Sequence, residues 1–220
     1  MSKVTVFGAG AWGSTMAQVL SDAGNDVLLW GRSQQVIDEI NSSHTNAKYL
    51  ASHILPSAIT ATTDLSLAFS FSEVYVLAIP AQQIRATLQE WKGNFSSTCT
   101  IVSTLKGIEI SSQKRMTEVI EDVLGPRKIA IITGPNLADE LVLRQPAGAV
   151  AAAATTELAE SIRELFRTPY YRVYTSVDVM GCELAGSIKS VIALAVGISI
   201  GMGFGENTQA MLITRGLNEV

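Results

Sequence analysis

The chain has 220 residues and a formal net charge of -4, and 47% of its residues are apolar while only 16% are charged. A negative chain offers no attraction to a nucleic-acid backbone or an anionic membrane surface, so neither partner is indicated. A charged fraction well below the usual value of about 25% indicates extensive burial, an oligomer interface or a missing covering segment.

Apolar runs rich in Val and Ile alternate along the chain with segments of helical periodicity. The predicted strands cover residues 4–7, 27–30, 74–79, 100–103, 129–133 and 149–153. The predicted helices cover residues 12–23, 34–40, 82–90, 114–123 and 157–166. Residues 41–63 show neither pattern and predict a long loop. Because the strands are continuously apolar, both faces must be covered, so the sequence predicts an α/β fold with a doubly wound, mainly parallel sheet.

The alternation stops after residue 175, and the rest of the chain is helical and rich in small residues. We therefore expect an α/β domain over residues 1–178 and the start of an all-helical domain over residues 179–220. The most apolar stretch, residues 191–204, is shorter than the roughly 20 residues of a membrane span and predicts a buried helix. The helical pattern reaches Val220 without a terminating Gly or Pro, so we expect this second domain to be truncated.

Cysteine and histidine are scarce. Cys99 and Cys182 lack the spacing of a metal site and predict two reduced, buried thiols, as in the cytoplasm. His44 and His53 are too few for a histidine-rich metal site and are interpreted as loop residues. The N-terminus has no apolar run of signal-peptide length. We therefore expect a cytoplasmic protein with no metal site and no membrane insertion.

A glycine motif carries the strongest functional signal. Gly8, Gly10 and Gly13 form G-x-G-x-x-G directly after the first predicted strand and at the start of a predicted helix. In this context the first glycine permits a tight turn, the second lets the backbone approach a pyrophosphate, and the third lets helix and strand pack closely. The motif predicts a Rossmann-type dinucleotide site. The alternative is a glycine turn without a ligand.

The second predicted strand ends at Arg32 and Ser33, where NAD-specific proteins usually carry an acidic residue for the ribose hydroxyls. An arginine there can bind the 2′-phosphate of NADP, so the sequence favours NADPH, with NADH still accommodated. A solvated arginine at a strand end is the alternative.

Two further groups follow strands, and a third lies in the helical region after residue 178. Lys106 projects from the carboxyl edge of the sheet, and Pro135 suits the first position of a helix whose free N–H groups could hold an anion or a carbonyl. Asp139 and Glu140 could instead simply complement that helix dipole. Lys189 lies among small and apolar residues, where desolvation would lower its pKa and suit it to acid–base chemistry, unless it extends to solvent.

Seven segments, in order and spread from end to end of the chain, coincide with one family. They are G-A-G-A-W-G at 8–13, N-A-K-Y-L at 46–50, K-G-I-E at 106–109, G-P at 134–135, E-L-A-G-S-I-K at 183–189, G-F-G-E-N at 203–207 and L-I-T-R-G-L at 212–217. The chain resembles bacterial-type NAD(P)-dependent glycerol-3-phosphate dehydrogenases. This resemblance implies an oxidoreductase that interconverts dihydroxyacetone phosphate and sn-glycerol 3-phosphate for glycerophospholipid synthesis, and it is compatible with a homodimer.

The resemblance also implies residue roles. Lys189 falls on the family's catalytic lysine, which also contacts substrate, and Lys106 on a lysine that contacts cofactor and substrate. Two further positions, Gly134 and Asn136, match substrate contacts. Matches to cofactor contacts, beside the glycines, are Ala11, Trp12, Arg32, Ser33 and Ala138.

The chain departs from the family at several positions. Ser190 stands where the family usually has Asn, Asn136 where it usually has Ser, and Glu206 where it usually has Asp. The resemblance further implies an Asp near the catalytic lysine and a Ser-Arg-Asn cluster that grips the substrate phosphate, and these lie beyond Val220. We therefore expect these 220 residues alone to bind dinucleotide but to turn over dihydroxyacetone phosphate weakly or not at all. The alternatives are another Rossmann reductase, of the ketopantoate or 3-hydroxyacid type, and a non-catalytic dinucleotide-binding fragment.

Overall fold

The computed structural model describes residues 1–219 and contains one eight-stranded sheet. Its strands are β1 (Lys3–Phe7), β2 (Asp26–Trp30), β3 (Thr60–Thr62), β4 (Val74–Leu77), β5 (Thr100–Ser103), β6 (Lys128–Thr133), β7 (Ala147–Ala153) and β8 (Tyr171–Ser176). Their spatial order is β3-β2-β1-β4-β5-β6-β7-β8, and every pair is parallel except the antiparallel pair β6 and β7. The predicted α/β class and mainly parallel sheet are confirmed.

The helices lie between the strands and after the sheet. They are α1 (Ala11–Asp22), α2 (Gln34–Ser43), α3 (Ala47–Leu50), α4 (Leu65–Phe71), α5 (Ile84–Trp91), α6 (Met116–Leu124), α7 (Ala138–Val142), α8 (Thr156–Phe166), α9 (Val179–Gly201) and α10 (Glu206–Glu219). Two apolar clusters cover the sheet on its opposite faces. Along β1, Val4 and Val6 belong to one cluster and Phe7 to the other, which is why this strand is continuously apolar.

Four of these elements were missed from the sequence. Strand β3 has only three residues and interrupts the predicted loop 41–63, which also contains α3. Strand β8 alternates, with Tyr171 and Val173 buried and Arg172 and Tyr174 exposed, as an edge strand does. Helix α4 has a strand-like alternating sequence, but the Asp64 carboxylate accepts hydrogen bonds from the backbone N–H groups of Ser66 and Leu67 and caps it.

The prediction of a buried helix over residues 191–204 is wrong. Most of that stretch forms the second half of α9, whose Val191, Leu194 and Ile198 side chains are 53–65% exposed. Among residues 1–219 α9 packs mainly against α10 and the strands β6 and β7, which leaves most of its apolar surface exposed. By length and composition α9 could cross a membrane, but this is weak evidence for a span. Val220, the end of the predicted second domain, lies outside the described residues.

The sheet order reverses at β1, whose neighbours are β2 on one side and β4 on the other. The loops after β1 and β4 therefore leave in opposite directions and open a crevice at the carboxyl edge. In open parallel sheets this switch point is where ligands bind.

Candidate active site

A cavity of about 920 Å³ lies at this switch point. Of the residues predicted from the sequence, its lining includes Gly8, Gly10, Ala11, Trp12, Gly13, Arg32, Ser33, Lys106 and Asn136. Gly134, Ala138 and Lys189 are not part of the lining. The structure therefore brings together most of the predicted cofactor residues, while three lie outside the cavity wall.

Several cavity residues were missed from the sequence. Lys48 and Tyr49 reach the wall from α3, and Gln83, Thr87 and Glu90 reach it from α5 and the turn before it. The first two lie in the family segment at 46–50, although no role was assigned to them. The other three follow a helical spacing, but nothing in the sequence indicates that this face of α5 borders a cavity.

The three glycines of the motif are required for different reasons. Gly8 has φ +119°, and a Cβ there would lie 2.4 Å from the Ala78 carbonyl oxygen. A Cβ on Gly13 would lie 1.7 Å from the Gly8 carbonyl oxygen, which no backbone tolerates. A Cβ on Gly10 would meet nothing within 4 Å. Gly8 and Gly13 are therefore required by close backbone packing, whereas Gly10 leaves free space beside the start of α1.

This open space suits a dinucleotide. Gly10 is the N-cap residue of α1, and no side chain caps the helix there. The N–H groups of the first turn thus keep their capacity to bind an anion such as a pyrophosphate. Buried Asn46 fixes the loop from behind, since its Nδ2 donates hydrogen bonds to the Ala9 carbonyl oxygen at 3.1 Å and to Ser14 Oγ at 2.9 Å. The residues present fit a dinucleotide.

Lys106 connects the cavity to the turn after β6. Its Nζ donates a hydrogen bond to the Gly134 carbonyl oxygen at 2.9 Å and lies 5.7 Å from the centroid of the Trp12 ring. Partial desolvation lowers the pKa of Lys106, and the positive charge of nearby Lys189 lowers it further. Lys106 thus lies at the carboxyl edge of the sheet, within the range at which the positive charge of Lys189 acts on it.

Lys189 reaches this edge from α9. A Cβ on Gly186, one turn earlier, would lie 2.9 Å from Thr133 Oγ1, so the helix passes close to the end of β6. The Lys189 side chain is exposed. Among the described residues this exposure matches the alternative in which Lys189 extends to solvent.

The turn after β6 is tightly built. A Cβ on Gly134 would lie 2.6 Å from the Gly148 carbonyl oxygen, so this position requires glycine. Asn136 Nδ2 donates a hydrogen bond to the Tyr171 hydroxyl at 3.2 Å, while its buried Oδ1 has no partner among the described residues. The expectation that Pro135 begins the helix is wrong, because α7 begins at Ala138 with Leu137 as its N-cap.

The remaining cysteines and histidines lie away from the cavity lining. Cys99 and Cys182 are free thiols, as expected, although only Cys99 is buried. His44 and His53 lie outside helices and strands, which confirms their interpretation as loop residues.

The fold and the cavity together define a Rossmann-type dinucleotide-binding domain followed by helices that reach its ligand edge. The family model described as the NAD-dependent glycerol-3-phosphate dehydrogenase N-terminus matches residues 3–159, and the model for the C-terminus of the same family matches residues 178–220. The chain belongs to the NAD-dependent glycerol-3-phosphate dehydrogenase family, whose cofactor is NAD(P)H.

Individual relatives agree with this assignment. The chain is 48% identical to a glycerol-3-phosphate dehydrogenase (NAD(P)+) of Streptomyces avermitilis, over 99% of this chain and 65% of the relative. A counterpart from Corynebacterium jeikeium is 46% identical, over 100% and 67%. The crystal structure of glycerol-3-phosphate dehydrogenase from Coxiella burnetii superposes with a TM-score of 0.89 at 31% identity, over 99% and 67%. The chain thus spans about two thirds of the length of these relatives.

Proposed function

We propose that this chain supplies the dinucleotide site and the acid–base lysine for the interconversion of dihydroxyacetone phosphate and sn-glycerol 3-phosphate, a step toward glycerophospholipids. The observation that carries the proposal is the pair of lysines at the ligand edge, with Lys106 held on Gly134 and its pKa lowered in part by Lys189. Neighbouring cations repel each other, and a phosphorylated triose carries the anion that relieves this repulsion. The names of the relatives support the same substrate.

The chemistry divides between cofactor and side chains. NAD(P)H, when bound, supplies the hydride that the ketone carbon accepts. Lys189 then donates a proton to the former carbonyl oxygen, and in the reverse direction it accepts that proton from the alcohol. We assign Lys106, Gly134 and Asn136 as residues that contact the substrate. The unpartnered Asn136 Oδ1 suits a substrate hydroxyl, because it can accept a hydrogen bond that the described residues do not provide.

The cofactor assignment rests on the loop at 8–13. Its glycines and the uncapped start of α1 suit the pyrophosphate, and Ala11, Trp12 and Lys106 complete the wall near it. Ala138, at the start of α7, is assigned to the cofactor by resemblance alone. Arg32 and Ser33 lie at the end of β2 in the cavity lining, so we expect NADPH to bind more tightly than NADH.

The test is steady-state turnover by the purified protein, with NADPH affinity measured separately by calorimetry. Oxidation of NADPH with dihydroxyacetone phosphate, and none with ketopantoate or with 3-keto acids, supports the proposal. Turnover of the acids alone would replace it with another Rossmann reductase. NADPH binding without any turnover, even in a form extended by the C-terminal third that the relatives carry, would mark a dinucleotide-binding protein. The expected homodimer and the expected cytoplasmic location stay predictions, the first checked by light scattering in solution.

A further inference from the structure

Glu183 is a buried carboxylate that joins two parts of the molecule. It lies on α9, its side chain is 7% exposed, and all of its side-chain hydrogen bonds come from another element. Arg115 Nη1 donates to it at 2.8 Å, the Thr117 backbone N–H at 2.9 Å and Thr117 Oγ1 at 2.5 Å. A carboxylate with three such donors is held in both position and direction, so α9 is fixed to the start of α6.

The segment before α6 is the one that carries Lys106. It leaves β5, passes Lys106 and folds back, so that Ile108 and Arg115 form an antiparallel bridge and the Glu109 N–H donates to the Lys114 carbonyl oxygen at 2.9 Å. The base of this arm, which we define as residues 105–115, is therefore Arg115, the residue that Glu183 binds.

Helix α9 makes a second anchoring contact close to Glu183. Gly186, three positions later, is the residue that lies against Thr133 at the end of β6, and Lys189 follows after three more. Positions three apart lie close together on a helix surface. The contacts of Glu183 and Gly186 thus fix the position of α9 along its axis, and its rotation about that axis, just before Lys189.

We propose that Glu183 is a positioning residue that sets the separation between Lys189 and Lys106 by tying α9 to the base of the 105–115 arm. The tie opposes the mutual repulsion of the two ammonium groups, which would otherwise push an exposed helix away from the sheet edge. The inference deepens the proposed function, since the two lysines are the groups assigned to the substrate.

The test measures the coupling between the two lysines by NMR titration of the lysine side chains in the purified protein. In the otherwise unchanged chain, Lys189→Met removes a neighbouring positive charge and raises the pKa of Lys106. In a Glu183→Gln background the same substitution should raise it much less, because the helix no longer holds Lys189 nearby. An equal shift in both backgrounds overturns the proposal, whatever happens to the thermal stability.

Two further variants sharpen this result. Glu118→Gln is the matched control, because Glu118 also pairs with Arg115, at 3.1 Å, but does not contact α9; it should leave the coupling at its full size. Glu183→Asp keeps the negative charge but has a shorter side chain, so it should lose the coupling as Glu183→Gln does. If Glu183→Gln does not fold, Glu183→Asp is used instead. Retained coupling in Glu183→Asp contradicts the proposal.

The titration needs no turnover, so its outcome is independent of the proposed reaction. Where dihydroxyacetone phosphate is turned over, Glu183→Gln should lower kcat by up to about 100-fold, since small misplacements of reacting groups cost that much. Its NADPH dissociation constant should stay unchanged, because Glu183 does not line the cavity. A loss of NADPH affinity equal to the loss of kcat would mark a merely structural role.

Discussion

Two alanine substitutions in the glycine motif should separate folding from ligand binding. A Cβ on Gly13 would lie 1.7 Å from the Gly8 carbonyl oxygen, whereas ordinary close carbon–oxygen contacts are about 3.3 Å or longer. The start of α1 or the loop after β1 would have to move by roughly 1.5 Å, and both are backbone. Gly13→Ala should therefore cost about 3 kcal/mol, the upper part of the usual range for overpacking.

Alanine recovers some of that loss, because within a helix it is favoured over glycine by about 1 kcal/mol. A net loss of about 2 kcal/mol corresponds to a Tm lower by roughly 4–8 °C in a protein of this size. Gly10→Ala is the matched control, since its Cβ would meet nothing within 4 Å and its φ of -84° suits any residue. It should keep the Tm of the unsubstituted protein and weaken NADPH binding tenfold or more, about 1.4 kcal/mol, by filling the space beside α1.

Thermal unfolding and calorimetric titration with NADPH measure the two effects separately. A Gly13→Ala protein with an unchanged Tm would show that the loop can relax, which would refute the packing role. A Gly10→Ala protein that binds NADPH normally would show that the dinucleotide does not approach this part of the loop.

The remaining predictions concern the charged groups. Arg32→Ala should raise the NADPH dissociation constant about 10–100-fold and leave that for NADH nearly unchanged, as measured by calorimetry; equal weakening of both would make Arg32 a general phosphate contact. In a form extended by the C-terminal helices that the relatives carry, Lys189→Met should lower turnover by roughly 10²–10⁴-fold without changing NADPH affinity, and near-normal turnover would remove Lys189 from the acid–base role. The Arg85 side chain, and then the Ser112 hydroxyl, lower the pKa of the buried Glu109 carboxyl. This pair stabilises the fold above the ordinary carboxyl pKa of about 4.3 and is lost as pH falls through the lowered value, so the difference in unfolding free energy from Glu109→Gln should shrink in acid.

The sheet was largely predictable because its strands carry a local signal. Strand β5 has the predicted bounds, and β1 and β2 differ from prediction by one residue, since each is a continuous apolar run that needs no tertiary information. The missed β3 and β8 lie at the two edges of the sheet, where one neighbour is absent and continuous apolarity is not required. The exposure of α9 could not be predicted from the sequence either. Hydropathy shows that a helix surface is apolar, but not whether another element covers that surface.

From the residues alone, without the family resemblance, the candidate site was most predictable where a motif fixes the backbone. The glycines at 8–13 could be interpreted one by one, because tight turns and close contacts restrict the residue type wherever the motif follows a strand. The lysine pair was expected at the substrate only through the family resemblance, since neither Lys106 nor Lys189 by itself carries a signal of its neighbour in the sequence. Their proximity depends on two contacts distant in sequence, Gly186 with Thr133 and Glu183 with the start of α6. Sequence spacing on α9 places Lys189 on the same side as these anchors, but only the structure shows that the anchored side faces the edge where Lys106 lies. The proposed site for a phosphorylated substrate, as distinct from a dinucleotide site alone, depends on that pairing.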